Sequence, residues 1–276
     1  MAGGPGAMRP CVLHPGEAPA PCFVDVMYPV LPGGKRAMAN CLAEALPLID
    51  DERLREEIVG VIGQEPGHAS SRERAHKRRQ SAGLDVAARC RLGIAWLADL
   101  VVGNGGLAGR AKHEWLKERL GLFASMGHYT AVIEEWLLHV DILEQKGIHP
   151  TVLDLVRWHD AHEVEQRSVV YDVYMYVDGS YARKARTAVL AGTALLPLFA
   201  VSTICIFRVD PSRDKGRFWP LQFVNATVHG LIPSFTVLFT ESARYLRRGF
   251  HPPQLTSTDT APRFQAHSSA SWVTRR

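Results

Sequence analysis

The sequence predicts an all-α protein built on a four-helix core, and three observations carry that prediction. Apolar residues recur at helical spacing over long segments, Gly- and Pro-rich breakers separate those segments, and no alternating strand pattern of useful length occurs. With 46% apolar and 22% charged residues in 276, the chain can bury a sizeable core, which excludes disorder as its dominant state.

Residues 1–22, rich in Pro and Gly, read as a flexible leader; they lack the continuous apolar core of a secretory signal. The first helix runs from about Arg53 to Gln80, with Leu54, Ile58, Val61 and Ile62 on one face and Asp50 or Asp51 as its cap. A second covers Val86 to Val102 and ends at Gly103-Asn104-Gly105-Gly106. A third spans Leu107 to Lys146, with an interruption expected near Gly121 to Gly127, and closes before Gly147 and Pro150. Thr151 to Asp178 supplies a fourth, with Leu153, Val156, Val164, Val169 and Val170 as its apolar positions.

Two uncharged stretches follow. Residues 187–207 are 21 consecutive residues without charge, close to the ~20 that a helix needs to cross a bilayer. Residues 218–240 also lack Asp, Glu, Lys and Arg, although Gln222, Asn225, His229 and two prolines interrupt their apolar character. We read 183–248 as a hydrophobic helical hairpin that associates with a membrane, its alternative being two helices buried in a soluble protein or a dimer interface. Basic residues flank both stretches on every side (Arg183, Lys184 and Arg186; Arg208, Arg213, Lys215 and Arg217; Arg244, Arg247 and Arg248), so the positive-inside comparison does not fix an orientation. From 249 onward Pro, Ser and Thr dominate and a disordered tail is expected. The domain organisation is thus leader 1–22, bundle 23–182, hairpin 183–248 and tail 249–276.

A net charge of +4 and a pI near 8.9 are too mild to imply a polyanionic partner. The one dense basic run, Arg72 to Arg79, contains Glu73 and no interleaved aromatics, which fits a solvated helix end better than a nucleic-acid surface. Five scattered cysteines without CxxC spacing suit a reducing compartment and exclude a zinc ribbon or dithiol motif. Trp96, Trp115, Trp136 and Trp158 are read as core or interface packing.

Chemistry-bearing residues concentrate in two places. Glu65 and His68, three apart, share one face of a helix and can reach a common metal ion. In Trp158-His159-Asp160-Ala161-His162-Glu163-Val164-Glu165-Gln166, the residues His159, His162, Glu163 and Gln166 form a single stripe at i, i+3, i+4 and i+7. Buried, those four polar groups would need partners.

These motifs, together with His128-Tyr129-Thr130-Ala131 and Tyr171-Asp172-Val173-Tyr174, resemble the predicted metal-dependent hydrolase family in matching order over about residues 28–182. The family pattern runs through a Pro-x-Gly-Glu element, QExxH, EHxTA and a Trp-His-x-x-Glu-Glu-x-Glu-His stretch leading into Asp-Val-Tyr. The resemblance implies a ferritin-like bundle whose carboxylates and histidines hold two ions, iron or manganese. It also implies hydrolase or di-iron-like oxidase or oxygenase chemistry. Glu65 and His68 match the second-helix pair, His128 the imidazole of EHxTA, and His159, Glu163 and Glu165 the fourth-helix motif.

Four positions depart from the pattern. Lys35 and Gly127 stand where the family has glutamates, His162 replaces the first of the paired glutamates, and Gln166 replaces a histidine. The substitutions remove negative charge that two divalent cations would need. Glu65, His68, His162 and Glu163 are the expected metal ligands, for one ion or two, and His159, His162 and Glu163 the expected acid–base residues. Lys35 in the vacated metal position would instead give a metal-free polar core. The expected activity is that of a metal-dependent enzyme on an apolar or lipid-like small molecule, at a membrane with the bundle in the cytoplasm. A homodimer fits the apolar segments as well. The alternative is a non-catalytic helical binding or scaffold relative that has lost its metal.

Overall fold

The computed structural model describes residues 19–63, 106–139, 168–209 and 218–252. Among the described residues every regular element is helical: α1 (Pro19–Ala45), α2 (52–63), α3 (Gly109–His139), α4 (168–177), α5 (Tyr181–Val209), α6 (Trp219–Val228) and α7 (Phe235–Tyr245). The all-α fold class is as the sequence predicts.

Contacts fix the directions. Arg119, early in α3, pairs with Glu44 at the end of α1, while Phe23 at the start of α1 meets Trp136 late in α3, so α1 and α3 are antiparallel. In α5, Arg183 bonds Glu114 and Glu118, Thr187 lies against Gly121 and Ser125, and Ala188 accepts from Tyr129; α5 therefore runs parallel to α3. α4 runs the other way along α3, bringing Tyr174 to Gly121 and Val170 to Gly127. Cys41, Leu42, Ile58, Leu120, Val170, Tyr174, Ile206 and Phe207 are among the fully buried side chains of one shared core.

α2 matches its periodicity: Leu54, Ile58 and Val61 are buried and Ile62 packs beside them. Asp51, rather than Asp50, is its cap, its Oδ1 accepting the Leu54 N–H at 2.9 Å. Trp136 packs as expected, its Nε1 donating to the Gly230 carbonyl at 3.1 Å. The expected helix 86–102, the parts of the other helices beyond the described ranges, and Trp96 and Trp158 lie outside the described residues.

Three features differ from the sequence reading. First, the sequence reading has no counterpart to α1, whose opening residues 19–22 fall within the expected leader. Four prolines, two of them at 29 and 32, and Gly33-Gly34 mask a helix whose Cys22, Val26, Met38, Cys41, Leu42 and Ala45 form its buried stripe. Pro19 and Pro21 fall in its first turn, where a missing N–H costs little. Second, α3 is continuous through Gly121 and Gly127. Gly121 serves close packing instead of a break, because a Cβ there would sit 3.1 Å from Thr187 and 3.3 Å from Tyr174.

Third, 218–240 holds a helix of 10 residues and the start of another of 11, separated by a turn at His229–Ser234 in which Gly230 has φ +68°. Each is too short to cross a bilayer. Among the described residues one helix, Tyr181–Arg208, is long and apolar enough to do so, and it packs on α1 and α3 with about half of its apolar window buried. Order also continues past 249: Phe250 is buried and its carbonyl accepts the Tyr171 hydroxyl at 2.8 Å.

Candidate functional site

Of the residues singled out for chemistry, Glu65, His68, His159, His162 and Glu163 lie outside the described residues, as do Glu165 and Gln166. Lys35, Gly127 and His128 are described. Lys35 is half-buried on α1. Gly127, at the position of a family glutamate, faces α4: a Cβ built there would lie 3.8 Å from Val170. A carboxylate at this position would thus enter between α3 and α4.

His128 is buried one residue on, with Ser125, Lys184 and Thr187 among the other buried polar side chains. Its ring stacks on Tyr245 with centroids 4.6 Å apart and meets Phe250 edge-on at 5.5 Å. Its Nε2 is 3.0 Å from the backbone carbonyl of Glu241, an acceptor, which makes Nε2 the protonated nitrogen. Tyr171 completes an aromatic wall, 6.1 Å from Tyr245 and 5.8 Å from Phe250. The hydroxyls of Ser125 and Tyr245 lie 3.3 Å apart, and those of Ser125 and Thr187 3.2 Å apart.

Into this wall α5 inserts Lys184, only 3% exposed. Its Nζ sits 5.1 Å from the Tyr245 centroid, 5.4 Å from Phe250 and 5.5 Å from Tyr171, an arrangement in which three π-faces stabilise an ammonium. It donates to the Arg247 carbonyl at 3.1 Å and to the Tyr171 hydroxyl at 3.3 Å, and Tyr171 in turn donates to the Phe250 carbonyl. Among the described residues no carboxylate forms an ion pair with Lys184. Burial accordingly pushes its ammonium below the usual lysine range. Burial likewise raises the phenols of Tyr171, Tyr174 and Tyr245, so all three stay neutral at pH 7.

The sequence held a signal for Lys184: it precedes the buried Thr187, Ala188 and Ala191 at spacings of 3, 4 and 7, which puts it on the buried stripe. Local chemistry fixes that register. Gly179 takes φ +61°, where a Cβ would press the Met175 carbonyl at 3.0 Å, and Ser180 then opens α5, accepting the Lys184 N–H at 2.9 Å. Beside it, His251 Nε2 meets Asp172 Oδ1 at 2.8 Å on the partly exposed rim. Below, Arg183 binds Glu114 at 2.7 Å, Glu118 at 2.9 Å and also Asp178, clamping α3 to α5.

Among the described residues no group of three or more His, Cys, Asp and Glu side chains is placed to hold a metal ion. None of the four expected ligands is among the described residues; of the family-motif residues His128 is, and its Nε2 is committed to a carbonyl, while the Glu241 carboxylate turns to Arg244 at 3.1 Å. These residues do not by themselves fit a metal centre. The described arrangement can hold a cation against aromatic rings, donate hydrogen bonds and keep water out.

A model of the family described as predicted metal-dependent hydrolase matches residues 7–255, nine-tenths of the chain. No curated protein and no solved structure matches it.

Proposed function

The chain belongs to the predicted metal-dependent hydrolase family, and on that premise we propose that it is a metal-dependent enzyme acting on an apolar or lipid-like small molecule at a membrane. The observation that carries the reading is the family match across 7–255, within which QExxH, HYTA, the Trp158–Gln166 stripe and the Asp-Val-Tyr segment fall in order. Hydrolysis is the reaction its family name gives; oxidase or oxygenase chemistry is the rival on a similar ligand set.

In this reading the core is a ferritin-like bundle, and Glu65, His68, His162 and Glu163 hold one or two ions, iron or manganese. A bound ion would supply Lewis acidity and an activated water. His159, His162 and Glu163 would move protons, since imidazole titrates near neutrality. The apolar helix Tyr181–Arg208 supports membrane association and, with it, the apolar substrate class; the bundle on the cytoplasmic side is part of the same proposal.

A second reading rests on His128. An imidazole locked between Tyr245, Phe250 and the Glu241 carbonyl is a structural group, and with Lys35, Gly127 and Gln166 at family ligand positions this favours a non-catalytic relative.

Elemental analysis of the full chain purified in detergent separates the two. The metalloenzyme reading expects iron or manganese at one or two ions per chain, lost together with ester hydrolysis in Glu65→Ala and Glu163→Ala. Metal-free protein, with both variants altering stability alone, would establish the non-catalytic relative.

A further inference from the structure

We infer that α6, the outer face of α5 and the first half of α7 form a surface that contacts the acyl chains of a phospholipid bilayer. The inference rests on the membrane reading above and assigns it a place on the molecule.

α6 carries the main observation: Trp219 and Phe223 pack inward, but the helix also buries a glutamine while leaving most of its other apolar side chains outside. Its buried positions are Gln222, 3% exposed, and Ala226, whereas Leu221, Val224 and Val228 point outward at 63%, 57% and 75% exposure. A helix on the surface of a protein in water does the opposite, turning apolar side chains in and polar ones out. Asn225 is the polar exception on the outer side.

The neighbours continue the pattern. α6 lies against the end of α5 through Phe223 and Phe207, 5.2 Å apart, and its following turn is tied to α3 by Trp136 and Gly230. α5 exposes Val189, Leu190 and Val201, with Pro197, Ala200 and Cys205 between and beyond them. Thr193, also exposed, returns its hydroxyl to the Val189 carbonyl at 2.9 Å, which removes its need for water. α7 adds Val237 and, at 77%, Phe239.

No charged residue lies between 187 and 207 or between 218 and 240. Charge gathers at the margins instead, as exposed Arg186, Arg208, Arg247 and Arg248, with Arg248 stacked on Tyr181 at 4.7 Å. Apolar side chains rimmed by arginine match acyl chains beneath anionic headgroups.

The first three N–H groups of the α6–α7 turn are satisfied locally: His229 N–H bonds Asn225 O, Gly230 N–H bonds Thr227 O and Leu231 N–H bonds Ala226 O. That condition must hold wherever water is absent. At ~1.5 Å per residue, α6 and α7 reach roughly 15 Å, about half the hydrocarbon thickness, so they touch one leaflet without crossing both.

Vesicle flotation tests this with the full chain, using phosphatidylcholine containing phosphatidylglycerol. The wild type should float. Val228→Asp with Phe239→Asp should cut partitioning by about tenfold or more, while Val59→Asp, at an exposed valine of α2, should not; circular dichroism confirms that all three fold. If the wild type stays in solution, the membrane reading itself fails. If the double variant floats as well as the wild type, membrane binding stands and this surface is overturned. Should the lipid-free wild type sediment as a dimer that the double variant abolishes, with no flotation, a second copy covers the face and the inference is again overturned.

Discussion

The Nε2 of His128 on α3 hydrogen-bonds the carbonyl oxygen of Glu241 on α7 at 3.0 Å, while the same ring stacks on Tyr245 one turn further along. One imidazole thereby joins two helices through residues 113 positions apart in the chain.

Replacing it should therefore loosen α7 from the bundle. His128→Ala is expected to cost roughly 2–4 kcal/mol through the lost hydrogen bond and the space left under Tyr245, read as a lower denaturant midpoint. Metal content unchanged in this variant but lost in Glu65→Ala would confine His128 to a structural role; joint loss would make it part of the metal centre.

Lys184 leads to an unusual expectation. Its charge is buried against rings with no carboxylate beside it among the described residues, so Lys184→Met should hold or raise stability by up to ~1–2 kcal/mol, keeping the volume and removing the desolvation cost. Lys184→Ala should lower stability by opening a cavity under Tyr245 and Phe250. A marked loss in the Met variant would show that the ammonium's bonds to Tyr171 and Arg247 outweigh its burial.

Gly192 is a close-approach site. A Cβ there would lie 2.8 Å from the Tyr129 hydroxyl oxygen and 3.1 Å from its ring, so Gly192→Ala should displace Tyr129 and weaken its bond to the Ala188 carbonyl. About 1–3 kcal/mol is expected; Gly63→Ala, with open space around it, is the control.

Stability should fall in alkali. Burial pushes the Cys41 thiol up to about 12 from 9.0, so above pH 9 the unfolded chain loses this proton while the folded one keeps it. Each such group tilts the balance toward unfolding by about 1.4 kcal/mol per pH unit. The buried phenols of Tyr171, Tyr174 and Tyr245 act in the same direction at higher pH, and Lys184, shifted downward, opposes them. Urea midpoints at pH 7 and pH 10 should show the fall, and Cys41→Ala should flatten it. In acid the sign reverses: burial works against the Glu44 carboxylate, but Arg119 and Lys112 outweigh it and hold its pKa low, so this contribution disappears as pH falls.

The helical fold class, the buried stripe of α2 and the family motifs were legible in the sequence, because each depends on spacing within one segment. Leu54, Ile58 and Val61 announce their face without reference to anything else. Helix α1 was not legible, since prolines and paired glycines argue locally against a helix that packing on α3 and α5 sustains. Gly121 is the same case reversed: a local breaker became a contact point once Thr187 and Tyr174 came against it.

Only the tertiary structure decided what the polar residues face. In the sequence Lys184 is one of three basic residues flanking an apolar segment; in the fold it is the cation of an aromatic cage built from α4, α7 and the Phe250 turn. Gln222 had weakened the apolar character of 218–240, and its inward placement is what leaves α6 apolar outside. A sequence records which side chains a helix carries and at what angles. Which angle meets protein, water or lipid depends on neighbours that lie distant in the chain.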